Sequence, residues 1–243
     1  MGANAQNSVP AFTAGQVLTA AQVTQINTGI PVFASSTERD AAFDGTGEKT
    51  LAEGQYAFLE DVNETQVYDG SSWDAVGGGG LVYITSASFS AVASVSAATS
   101  TFSATYDHYK IVVDLSAVST NLSVLLRWRA SGVDTTSGNY YSMANTCNSA
   151  GTASTFAVSG GTSHKIGTLN PTGGYAGGLS FDVIGPNVAV PTTHHGQSVD
   201  GGSAIVSNFG GTINLSTQYD AFTLLTSTGT MTGTYFVYGY AKA

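Results

Sequence analysis

Any chemistry in this chain has to come from a short inventory of side chains. Cys147 stands alone, the histidines are His108, His164, His194 and His195, and no Glu occurs after Glu64. Cleavage of a sugar polymer by paired acids needs one protonated and one ionised carboxyl at a defined separation. Beyond residue 80 the acids are Asp107, Asp114, Asp134, Asp182, Asp200 and Asp220, each isolated in sequence, so such a pair is not expected. No G-x-S-x-G elbow marks a serine nucleophile. His194 and His195, in Pro-Thr-Thr-His-His-Gly, could each give one metal ligand per chain at a symmetry axis, but no further ligand cluster stands near them and a solvated loop is the expectation. Cys147 can form no intrachain disulfide and is expected as a small buried residue. The residues point to no cofactor, no metal, no catalytic group and no enzyme.

Three stretches without an evident strand pattern carry more of the reading: 142–154, 170–178 and 185–203. Segments of that length are usually functional or disordered. Tyr140, Tyr141 and Tyr175 lie in or beside them, and exposed tyrosine offers a rigid amphipathic contact to sugars and proteins. With His194 and His195 they form the expected receptor-contact set; packing loops between subunits are the alternative.

Around those loops the hydrophobic period is two. Tyr109, Ile111, Val113 and Leu115 share one face, and so do Leu122, Val124, Leu126 and Trp128, with Arg127 and Arg129 turned away. Further strands are expected at 81–85, 155–158, 179–183, 204–209, 222–225 and 233–240. Eight or more short strands broken by Gly, Asn, Ser and Pro predict an antiparallel sandwich of jelly-roll type over 81–243. The run Thr234–Tyr240 is apolar on both faces, so it is expected to be central or covered by a neighbouring subunit.

The front of the chain has another character. Residues 1–11 are small and polar, an arm expected to be flexible or to order on docking. Leu18 to Gly29 predicts a helix, with Thr19 and Gln22 as a capping box and Leu18, Val23, Ile26 and Ile30 as an apolar stripe that docks on another chain. Residues 36–40 predict the cap and first turn of a second short helix. Gln55–Glu60 and Gln66–Asp69 predict a hairpin, and Tyr56, Phe58, Tyr68 and Trp73 are expected to form one packing patch. Gly77–Gly80 predicts a hinge, giving an arm and helix (1–30), a small β-module (31–76), the hinge (77–80) and the sandwich (81–243).

Within the front module, Ser36-Thr37-Glu38-Arg39-Asp40-Ala41-Ala42, the run Glu53–Asp61 and Val67-Tyr68-Asp69-Gly70-Ser71-Ser72-Trp73 resemble a small module that recurs in fibre and appendage proteins of tailed bacteriophages. Phe12 to Ala21 is similar to the lead-in that often accompanies it. The resemblance covers residues 11–73 and implies a virion anchoring role, often trimeric, with no catalytic residues. It names no relative for residues 81–243.

Composition bounds the partners. Residues 1–80 hold five Glu and five Asp against Arg39 and Lys49, whereas residues 81–243 hold six Asp against five Lys or Arg. Acidity belongs to the front, and clustered Lys and Arg for a phosphate backbone are missing, which argues against nucleic acid. No apolar run reaches the roughly 18 to 20 residues of a membrane span, and the first residues lack a secretory pattern. The expectation is a homotrimeric virion protein made in the host cytoplasm: a tail fibre or receptor-binding appendage adhering to a bacterial surface glycan. The alternatives are a head fibre or decoration protein that stabilises the coat, and a polysaccharide-degrading tail spike.

Overall fold

The computed structural model describes residues 9, 11–26, 29–46, 48–76, 80–171 and 177–241, apart from the side chains of 24–26. The chain is mainly β and divides into two compact units, Met1–Gly78 and Gly79–Ala243. Of the expected hinge, only Gly80 lies within the described residues.

In the first unit, helix α1 spans Ala20–Ile26. Its capping box is formed: the Gln22 amide donates to Thr19 Oγ1 at 3.3 Å and the Thr19 amide to Gln22 Oε1 at 3.0 Å. Helix α2 (Ser36–Asp40) is capped by Ser35, whose hydroxyl accepts from the Glu38 amide. Strands β1 (Val32–Phe33), β2 (Tyr56–Leu59), β3 (Glu64–Tyr68) and β4 (Trp73–Ala75) make a four-stranded sheet in that order, with β1 parallel to β2 and the others antiparallel. The hairpin is as expected, and β1 is an addition.

Two expectations for this unit are corrected. Tyr56 pairs with Val67 and Tyr68 with Trp73. Side chains alternate across a strand, so Tyr56 and Phe58 lie on one face of the sheet and Tyr68 and Trp73 on the other, and no single patch holds all four. The buried face carries Ala57 and Leu59, which close a small core with Val9, Phe33, Ala42 and Phe43. The arm is also not free along its whole length. Val9 is buried, donating to the Ala42 carbonyl at 3.1 Å and accepting from the Lys49 amide at 2.8 Å.

The second unit has two antiparallel sheets. The larger runs from edge to edge as β11 (Ala153–Gly161), β10 (Tyr140–Cys147), β15 (Ile205–Ile213), β14 (Thr192–Asp200), β13 (Gly177–Ile184), β7 (His108–Val118), β17 (Met231–Tyr240) and β5 (Leu81–Val92). The smaller runs β12 (His164–Leu169), β8 (Leu122–Ala130), β16 (Ala221–Thr226) and β6 (Ser94–Ser96), with β9 (Val133–Asp134) paired to β8. Apolar residues of both sheets form one core. The period-two faces of β7 and β8 are buried as expected, from Tyr109 to Leu115 and from Leu122 to Trp128. Strand β17 lies between β7 and β5, so both its edges are paired; Tyr235 and Val237 are buried in the core, and Phe236 and Tyr238 are half-buried on the opposite face.

Two of the three expected loops contain long stretches of strand. Within 142–154 the connection is only 148–152, held by Asn148 Oδ1, which accepts from the amides of Ala150 and Thr152. Within 185–203, the nine residues of β14 are paired on both sides. Its inward side chains include Thr192, His194, Ser198 and Asp200, all buried, so the strand shows no apolar alternation. Part of the third loop, 172–176, lies outside the described residues.

Candidate functional site

Strand register brings the most varied chemistry together on the outer face of the eight-stranded sheet. Directly paired positions run Tyr83, Tyr238, Lys110, Asp182, His195, Gly210 and Met143 in one row across β5, β17, β7, β13, β14, β15 and β10. Their side chains share a face because laterally paired residues in a sheet point the same way.

Asp182 is the centre of the polar part. Its Oδ1 accepts from the Tyr240 hydroxyl at 2.5 Å and from Lys110 Nζ at 3.4 Å, and His195 Nε2 lies 3.8 Å from Oδ2. The hydrogen bond to this carboxylate, reinforced by burial, pushes the Tyr240 phenol up to about 12. Lys110, Ser180, Asp182, His195, Gln197 and Asn208 line a shallow depression of about 440 Å³. Gln197 Nε2 donates to Asn208 Oδ1 at 2.8 Å, leaving the other amide atoms of both residues available at the surface.

Next to it, Tyr141, Met143, Ala157, Gly210 and Thr212 line an apolar depression of about 520 Å³. Met143 is 70% exposed and Tyr141 40%. Gly210 stands in the row between His195 and Met143 and contributes no side chain there. A Cβ at Gly210 would meet nothing closer than the His194 carbonyl oxygen at 3.4 Å, so the low saddle between the depressions is not imposed by crowding.

The expected contact residues divide by the same alternation. Tyr140 is buried, its hydroxyl donating to the Thr135 carbonyl at 2.9 Å and accepting from the Trp128 amide at 3.1 Å. Burial pushes its phenol well above the ordinary range. His194 is buried too, its ring centroid 4.1 Å from that of His164, whose Nε2 accepts from Trp128 Nε1 at 3.2 Å. Burial lowers His164 to about 2 and His194 to about 3, so both imidazoles are neutral. Tyr140 and His194 are therefore core residues and not surface contacts, whereas Tyr141 and His195 face outward. Neighbouring positions in a strand cannot both face outward. Tyr175 lies outside the described residues. Cys147, expected inside, is exposed on β10.

In the first unit Leu18, Val23 and Ile30 are exposed, as are Phe12 and Val17; the Ile26 side chain lies outside the described residues. Among the described residues no group of three or more His, Cys, Asp and Glu is placed to hold a metal, and no helix is long and apolar enough to cross a membrane.

Lys110, Asp182, Gln197, Asn208, Met143 and Gly210 were not anticipated from the sequence. Lys110 and Asp182 are 72 positions apart, and only sheet register makes them neighbours. The resulting surface joins donors, acceptors and an apolar platform, an arrangement suited to holding a ligand. No family model matches this chain, and no curated protein or solved structure is similar to it.

Proposed function

We propose that this chain is a structural subunit of a tailed-bacteriophage virion: a homotrimeric tail fibre or receptor-binding appendage that adheres to glycan on the bacterial surface. Adhesion rests on one observation, the outer face of the eight-stranded sheet, where the polar depression around Asp182 adjoins the exposed Tyr141 and Met143. A surface that offers amides and a carboxylate beside an apolar platform suits a sugar polymer, which presents hydroxyls and C–H faces together.

A jelly-roll-type sandwich is the architecture we assign to the second unit, and strand order supports it. Strands β5, β17, β7 and β13 lie side by side in one sheet, and β6, β16, β8 and β12 in the other. The chain crosses between sheets from β5 to β6 to β7 to β8 and again from β12 to β13, as paired Greek keys do. Strands β10, β11, β14 and β15 are then insertions that widen one sheet and build the candidate site.

Trimerisation is supported by the uncovered apolar side chains of Leu18, Val23 and Ile30 around a seven-residue helix. A helix that short is unstable without a partner surface. The same exposure favours the second reading, a head fibre or decoration protein that clamps coat subunits through this region. A polysaccharide-cleaving spike has less support: among the described residues lining the polar depression, Asp182 is the one carboxylate, and acid-pair cleavage needs two.

The test is to incubate the labelled full chain with a panel of bacterial cells and with empty phage heads. Binding to cells, abolished by periodate oxidation of their glycans, is the expected result. Binding to heads alone would replace adhesion with the decoration reading, and loss of polysaccharide viscosity would restore the enzyme.

A further inference from the structure

We propose that the two outer-face depressions are one groove that takes an extended, uncharged polysaccharide running across the strands, with Asp182 as its central hydrogen-bond acceptor. This assignment rests on the adhesion reading above and adds the ligand class and its direction.

Continuity comes first. Lys110, Asp182, His195, Gly210 and Met143 are successive members of one paired row. Strands lie about 4.8 Å apart, so these five positions span roughly 19 Å, enough for several sugar rings in line. Gly210 sits inside that span. Any side chain there would stand between the polar depression and Met143, so glycine keeps the groove open where the two halves meet.

Charge sets the ligand class. Lys110 is already engaged by Asp182, which leaves no unpaired cation among the described lining residues for a phosphate, sulfate or carboxylate. What remains are Ser180, Gln197 and Asn208, each able both to donate and to accept, as sugar hydroxyls require. Asp182 is held in place by Tyr240 and Lys110, so its remaining lone pairs are presented in a fixed direction. Tyr141 and Met143 then supply the apolar floor for C–H faces.

The experiment uses the full chain against immobilised bacterial polysaccharides, neutral and acidic, and against size-graded neutral fragments. Neutral polymers should bind, and affinity should rise with fragment length. Asp182→Ala should weaken binding about tenfold or more, the worth of a hydrogen bond to a charged group. Gly210→Val should leave short fragments bound and abolish the gain with length. Its Cβ would meet nothing closer than 3.4 Å, and a β-branched residue suits a strand. Asn208→Ala and Met143→Ala, at surface positions, guard against a variant that fails to fold, and each should also weaken binding to long fragments. Preference for acidic polymers, no effect of Asp182→Ala in a folded variant, or an unchanged length dependence in Gly210→Val would each overturn the proposal. Cell binding that survives periodate but not protease would overturn the glycan ligand while leaving adhesion standing, and binding to neither cells nor glycans would remove both.

Discussion

The guanidinium of Arg39 lies 4.6 Å over the indole ring of Trp73, joining helix α2 to the last strand of the front module. Arg39 is buried, donates to Asp40 Oδ1 from Nε at 2.8 Å and from Nη2 at 2.6 Å, and donates from Nη1 to Gln66 Oε1. Trp73 packs in turn on Tyr68 and Phe43 at centroid distances of 5.4 and 5.9 Å. The two ends of the module's motif are therefore joined by one cation–π contact, which a unit with so small a core needs.

Removing that contact should loosen the first unit. Arg39→Ala is expected to destabilise it by about 2 kcal/mol, and Arg39→Lys by somewhat less, since lysine keeps the charge but not the planar fork. Calorimetry of the full chain should show a lowered transition for this unit and an unchanged one for the sandwich. A shift of both together would contradict the assignment of this contact to the first unit alone.

Stability should fall with acid earlier than carboxylates can explain. His164 and His194 have folded values of about 2 and 3 against 6.5 unfolded, so the unfolded chain takes up protons first. Their contribution is complete above about pH 6.5 and is lost as pH falls towards 3, by as much as about 1.4 kcal/mol per pH unit for each group. Among the described residues, neither ring nitrogen of His194 has a hydrogen-bond partner to hold an added proton. Asp69, lowered from 3.8 by the Ser72 and Ser71 amides, loses its contribution only at lower pH. Melting temperature measured from pH 7.5 to 4.5 should drop steadily, and His194→Leu should flatten the slope.

Two adjacent glycines should respond oppositely to substitution. A Cβ at Gly211 would sit 2.5 Å from the Tyr141 carbonyl oxygen and 2.8 Å from Ser142 Cβ, whereas one at Gly210 would meet nothing closer than the His194 carbonyl oxygen at 3.4 Å. Gly211→Ala should cost about 2 kcal/mol or more by overpacking, and Gly210→Ala less than about 0.5 kcal/mol. Denaturant midpoints decide, and equal losses would refute the placement of the two residues.

Cys147 should react with a maleimide in the native protein without denaturant, as an exposed thiol does. It pairs with Val206 on the outer face, four residues along β10 from Met143. A fluorophore placed there should change its emission when glycan binds. Failure to label the folded chain would return Cys147 to the interior.

Sedimentation of the full chain at micromolar concentration should give three subunits. Leu18→Glu combined with Val23→Glu should release single subunits whose circular dichroism is unchanged. A monomer in the unmodified protein would remove the assembly half of the proposed function.

The sequence alone determined the elements whose apolar residues alternate or cap. Thr19 and Gln22 close the helix they predict, Tyr109 to Leu115 and Leu122 to Trp128 bury the faces their period names, and the hairpin at 55–69 forms between its two runs. Tertiary structure decided β14 and β10. Their inward positions hold His194, Ser198, Asp200 and Ser142, whose burial depends on neighbours far along the chain and leaves no local hydrophobic period. It also decided which of Tyr140 and Tyr141, and which of His194 and His195, faces outward: adjacent strand residues take opposite faces, but register with the neighbouring strands chooses the face. The candidate site is the extreme case. Lys110, Asp182, His195, Gly210 and Met143 come from five strands, and only their lateral pairing places them in one row.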